Sequence, residues 1–177
     1  VEALAIDSAD NLYVGGRFYE AGTGKSDCNC IVKWDPINQT WSNIGKGVDV
    51  SIFSMAINSG TLFVGGQLHE AHQADGSTMS ISNIVAWDFA SETWIPMGRA
   101  LNDKALALAL DKDGNLLCGG IFSIAGGMVS PFFAKYLVSA STKGAGIVHN
   151  PPAPYPKKPK ASAQYLPFGK DKASHKN

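Results

Sequence analysis

The chain has 177 residues, 45% apolar and 17% charged, with Lys/Arg and Asp/Glu balanced at 15 each. This composition excludes a wholly disordered chain, and no apolar run reaches the roughly 18 residues of a membrane-spanning helix. The balance hides an asymmetry: residues 1–150 carry nine basic and 14 acidic side chains, whereas residues 151–177 carry six Lys and one Asp. An acidic body argues against nucleic acid as a partner, because phosphate contacts need a basic face.

In chain order, residues 1–7 alternate small and large apolar side chains up to Asp7 and predict a first strand. Asp10-Asn11 marks a turn, and Leu12-Tyr-Val-Gly15-Gly16 predicts a second strand ending on a glycine pair. A long loop over residues 17–30 leads to a third strand carrying Trp34-Asp35, then a fourth carrying Trp41 and closed by Gly45. The set then repeats. Leu62-Phe-Val-Gly65-Gly66 and Leu116-Leu-Cys-Gly119-Gly120 follow the first glycine motif at spacings of 50 and 54 residues. Trp87-Asp88 with Trp94 and Gly98 repeat the second half, and Tyr136 stands at the third copy's aromatic position without a following Asp or second Trp. Residues 105–110 have helix propensity of their own, but their alignment with residues 1–6 and 52–57 predicts strand. Four strands per fifty-odd residues, repeated, is the pattern of a β-propeller blade.

The glycine pair, the aromatic-Asp of the third strand and the Trp seven residues later resemble the kelch repeat. The residues around Leu12–Phe18 and Ile31–Trp34 are similar to the kelch-like propellers of fungal cortical polarity markers and of bacterial surface proteins. The resemblance, which covers roughly residues 1–138, implies an all-β fold of kelch type, with two complete four-stranded blades (residues 1–50 and 51–104) and a partial third lacking its fourth strand (105–143). The composition of residues 144–177 predicts an extended or disordered tail. That tail holds five Pro within residues 149–160 and a Tyr165, Leu166, Phe168 cluster. The repeated residues Gly15, Gly16, Trp34, Trp41, Gly65, Gly66, Trp87, Trp94, Gly119, Gly120 and Tyr136 read as structural. The glycines allow unusual dihedrals or close backbone approach, and the Trp side chains act as wedges between sheets. Asp7, Asp35, Asp88 and Asp111 read as turn-bonding carboxylates. Val1 already lies within a strand pattern, so the sequence reads as a processed product or a piece of something longer. Propellers commonly have four to eight blades, and three leave open faces for further blades, further copies or a partner.

Catalytic signals are sparse. Cys28, Cys30 and Cys118 are too few for a disulfide framework; the first two read as loop thiols and the third as core. His69-Glu70-Ala-His72, with Asp75 nearby, could hold a metal, but its spacing is not that of a helical zinc-protease site, and a surface loop is the stronger reading. Asp111-Lys-Asp-Gly-Asn115 opens like a calcium loop but has no distant Glu ligand. Asn38 heads a glycosylation acceptor in an exposed turn. No metal or cofactor is expected. The expected function is non-enzymatic binding or scaffolding of a protein partner through the loops after each glycine pair, with Arg17, Tyr19, Glu20, Lys25, Asp27, His69, Glu70, His72 and Asp75 as contacts. The alternatives are a structural component of a cell-surface or particle assembly, with open edges and tail packing on neighbours, and a metal-dependent enzyme using His69 and His72. Low charge and repeats rich in Gly, Ser and Thr favour a secreted or surface setting.

Overall fold

Alternation of small and large apolar residues becomes strand in all three copies of the repeat. The computed structural model describes residues 1–22, 28–58, 60–98, 100–138 and 148–150. Among them the chain is all-β, with no helix. Strands β1 (Ala3–Ile6), β2 (Leu12–Gly15), β3 (Ile31–Asp35) and β4 (Thr40–Asn43) form an antiparallel sheet in sequence order. The second unit supplies β5 (Ser51–Ile57), β6 (Thr61–Gln67), a hairpin of β7 (Glu70–His72) with β8 (Thr78–Ser80), then β9 (Ile84–Asp88) and β10 (Thr93–Pro96). β5, β6, β9 and β10 make its four-stranded sheet. The third supplies β11 (Ala105–Leu110), β12 (Leu116–Gly120), a hairpin of β13 (Ile124–Ala125) with β14 (Met128–Val129), β15 (Phe133–Leu137) and β16 (Val148–Asn150).

β16 corrects the reading of the third repeat. Residues 148–150 belong to the stretch expected to be tail, yet they pair with β15, Tyr136 opposite His149, as a fourth strand. The backbone of a sheet edge needs partners rather than a particular side chain, so a segment with neither Trp nor closing Gly takes the place. The helix propensity of residues 105–110 is overridden by pairing with β12.

The register sorts each sheet into two faces. Ile6, Leu12, Trp34 and Trp41 stand in one row of the first sheet, here termed its leading face. Ile57, Leu62, Trp87 and Trp94 form the equivalent row of the second, and Leu110, Leu116 and Tyr136 that of the third. The opposite, trailing face carries Ala3, Tyr13, Gly15 and Ile31 in the first sheet and Phe63, Gly65, Ile84 and Ala86 in the second. The leading face of the second sheet packs on the trailing face of the first, joining Met55, Leu62, Val85, Trp87 and Trp94 to Ala3, Tyr13 and Ile31. The third repeats this on the second, joining Leu116, Cys118 and Tyr136 to Phe63, Ile84 and Ala86. Each fully buried large side chain contributes about 1.5–3 kcal/mol relative to exposure.

The glycine pairs serve close approach. A Cβ on Gly15 would lie 2.8 Å from Ile52 Cγ2, and one on Gly65 would lie 3.0 Å from Ala105 Cβ, so the first strand of the next unit seats against the first glycine. A Cβ on Gly66 or Gly120 would collide with the carbonyl of Ser51 or Lys104. Of the six paired glycines only Gly16, at φ 159°, takes a dihedral that other residues rarely adopt; the other five serve close approach at ordinary φ.

The four Trp side chains are not equivalent wedges. Trp87 and Trp94 are buried, their ring centroids 5.1 Å apart. Trp34 is half-buried and Trp41 is 37% exposed, although their tilted rings lie 4.9 Å apart. The cause is position: no described sheet packs on the leading face of the first unit.

Candidate functional site

The connections after each glycine pair are built alike. Phe18, Leu68 and Phe122, two residues past the second glycine, turn inward, and Leu68 and Phe122 are fully buried. Each connection closes on the residue preceding the third strand. Cys30 N donates to Phe18 O at 2.7 Å, Asn83 N to Leu68 O at 2.9 Å and Phe132 N to Phe122 O at 2.9 Å. These closing residues have φ of 69°, 64° and 68°. Their carbonyls accept from the second glycine of the pair in all three units.

The linkers between units lie against these connections. Val48 N donates to Asn29 O at 2.9 Å and Asn29 Nδ2 to Lys46 O at 2.8 Å, tying the first linker to the first connection. On its other side Lys46 N donates to His72 O, His72 N to Gly47 O and Asp49 N to Glu70 O. The second linker is held likewise: Asn83 Nδ2 donates to Leu101 O at 3.1 Å, while Asn102 Oδ1 accepts from the amides of Ser123 and Ile124 at 2.9 and 2.8 Å. Connection, linker, connection, linker and connection thus alternate along one hydrogen-bonded rim at the end of the sheets opposite the tight turns.

The residues expected as contacts fall on this rim as follows. Arg17, Tyr19 and Glu20 are exposed on the first connection; Lys25 and Asp27 lie outside the described residues. His69 and Glu70 are exposed, and His72 is half-buried on β7. His69 takes Asp49 twice: its amide donates to Oδ1 at 2.9 Å, and Nδ1 lies 3.1 Å from Oδ2. His72 Nδ1 lies 3.1 Å from Thr78 Oγ1. Asp75 accepts the amide and hydroxyl of Ser77 at the hairpin turn, and these bonds hold its carboxyl below the usual range. The two histidines are therefore bonded to separate partners. Among the described residues no group of three or more His, Cys, Asp or Glu side chains is gathered to hold a metal. Asp49, Lys46, Asn29, Asn83 and Asn102 are rim residues that sequence reasoning passed over. The signal available was an Asn one or two places before the third strand in the first two copies.

The thiols are buried. Cys30 is raised by burial, and burial pushes Cys118 up to about 12, so neither offers a thiolate at neutral pH. The turn carboxylates behave as expected. Partial burial pushes Asp7 up, but bonds from Asn11, Ala9 and the Tyr13 hydroxyl outweigh it and leave it lowered. Asp111 is held well below the carboxylate range by Lys135, 2.7 Å away, and by Asn115. These bonds, with that from the Asp113 amide, occupy the carboxylate that would have opened a calcium loop.

One cleft of about 520 Å³ lies between the first two sheets, lined by Asp7, Tyr13, Lys33, Trp87, Phe89 and Glu92 among others. It arises because the trailing row of the first sheet runs Ala5, Tyr13, Lys33, Ser42, where the second has Ala56, Phe63, Ala86, Ile95. Polar side chains in the outer half leave the gap unfilled. No family model matches the chain, and no curated protein matches it.

Proposed function

We propose that the chain is a segment of a kelch-like β-propeller that acts as a non-enzymatic binding or scaffolding protein, engaging a protein partner through the rim of connections and linkers. The observation that carries the reading is the alternation of connection and linker into one continuous, hydrogen-bonded rim. Loops braced by hydrogen-bonded linkers present side chains at little ordering cost, which suits recognition. Exposed Arg17, Tyr19, Glu20, His69 and Glu70 supply charge of both signs and one aromatic anchor. The propeller reading is supported by three sheets of identical strand order packed in series, first strand beside first strand. The acidic body favours a protein over nucleic acid. The raised thiols of Cys30 and Cys118 and the separate bonding of the two histidines favour binding over catalysis. A role as a component of a larger assembly is favoured by one further observation, the exposure of Leu4, Ile6 and Trp41 in the leading face of the first sheet.

The test is affinity enrichment with three tagged proteins, each checked for folding by circular dichroism. They are the wild type, a rim variant (Tyr19→Ala, His69→Ala and Glu70→Lys), and a control, Ile37→Lys, in a turn at the opposite end. A specific partner should be retained by wild type and control and reduced at least tenfold by the rim variant. Equal recovery with the rim variant would overturn the proposal.

A further inference from the structure

The two ends of this series of sheets complement each other. Inside the molecule the same joint is made twice. Ile52 and Met55 of β5 seat on Gly15, and Ala105 and Leu108 of β11 seat on Gly65. The third glycine of the set, Gly119, is different: among the described residues a Cβ placed there would meet nothing nearer than Phe132 O at 3.9 Å and Ala107 Cβ at 4.0 Å, and no described residue fills its socket. At the other end Leu4, which aligns with Met55 and Leu108, is 60% exposed, and Ile6, which aligns with Ile57 and Leu110, is 63% exposed. Trp41, in the same face and beside Gly22 of its own connection, is 37% exposed where its counterpart Trp94 is buried, while Val14 and Val32 of that face are covered by Phe18, Ala21 and Cys28. Ala21, five residues past the second glycine, also lacks among the described residues the bridge that Val48 makes to Ala71 and Leu101 to Ala125.

We propose that the leading face of the first sheet docks on the trailing face of the third sheet of a second copy of this chain, with Leu4 over Gly119. The occupant is argued from the two internal joints: what fills Gly15 and Gly65 is the first strand of a unit of this same repeat, and the chain presents one such strand uncovered. The charges also match. The register puts no ionic side chain on β1 to β4 in the rows of the leading face, and the trailing face of the third sheet carries Lys135 where that of the first, already inside a joint, carries Lys33. Lys135 is paired with Asp111. The contact is head-to-tail, so two copies joined at both ends close a ring of six sheets, within the range of about four to eight that such rings adopt. The inference rests on sheet packing alone, and the rim is left clear by it.

Light scattering on the purified chain at about 100 μM should give twice the chain mass, and Leu4→Glu should give the single-chain mass. Cross-linking then fixes the geometry. Under mild oxidation, a mixture of Leu4→Cys and Gly119→Cys proteins should form a covalent pair, while either variant alone should not. The three native thiols are buried and do not compete. A wild type of single-chain mass, as would follow if residues 151–177 or another protein cover the face, overturns the proposal. So does cross-linking of Leu4→Cys with itself as efficient as in the mixture. Neither result touches the rim reading, whose variants are tested separately.

Discussion

Phe132 holds a left-handed backbone, φ 68°, at a position where Asn83 does the same in the preceding unit. A bulky residue there carries strain of about 1–2 kcal/mol, which Asn or Gly largely avoids. The conformation persists because the Phe132 amide donates to Phe122 O and its carbonyl accepts from Gly120 N. Phe132 is 62% exposed, so its removal sacrifices little burial. Phe132→Gly should therefore raise stability by about 0.5–1 kcal/mol in urea unfolding; a loss of stability would show that the ring, not the backbone, matters at this position. This requirement was illegible in the sequence: Cys30, Asn83 and Phe132 share no side-chain chemistry, and the shared property is a backbone angle imposed by the bonds around it. The turn carboxylates were legible, because Asp followed by Asn or Ser a few places on satisfies its bonds locally.

Among the strands, rows that look alike in sequence carry unlike energies. The pairs Trp34–Trp41 and Trp87–Trp94 occupy the same register. Only the second lies between two sheets. Trp94→Ala should cost about 3–5 kcal/mol, whereas Trp41→Ala should cost about 1 kcal/mol or less. Both are to be measured by denaturant unfolding in the Leu4→Glu background, so that association contributes nothing; comparable losses would contradict the packing described. The strand content of both rows was readable from the repeat. Which pair was core was not, because burial depends on the neighbour a face finds. The same holds for β16: its sequence has no strand signal, and an unpaired edge of β15 recruits it.

Across the whole molecule, carboxylates held below their ordinary range recur at the same corners: Asp7 and Asp111 at the first turn of their units, Asp35 at a later one. Unfolded aspartates titrate near ~3.9. Since the folded values are lower, the stability these groups add is complete above about pH 5 and is lost as pH falls through the depressed values. The melting temperature should be flat from about pH 7 to 5 and fall below about pH 4. Asp111→Ala should melt lower at neutral pH but show a shallower decline in acid, and an unchanged slope would remove Asp111 from the account.

Local sequence was enough for the all-β class, the recurrence of the unit and the positions of its turns, because strand alternation, glycine pairs and turn carboxylates act over a few neighbouring residues. Packing between units settled the rest: which Trp pair is core, which glycine socket no described residue fills, and that connections and linkers join into one rim. Those outcomes depend on which unit lies beside which, and similar local sequences meet different neighbours at the two ends of a series than in its middle.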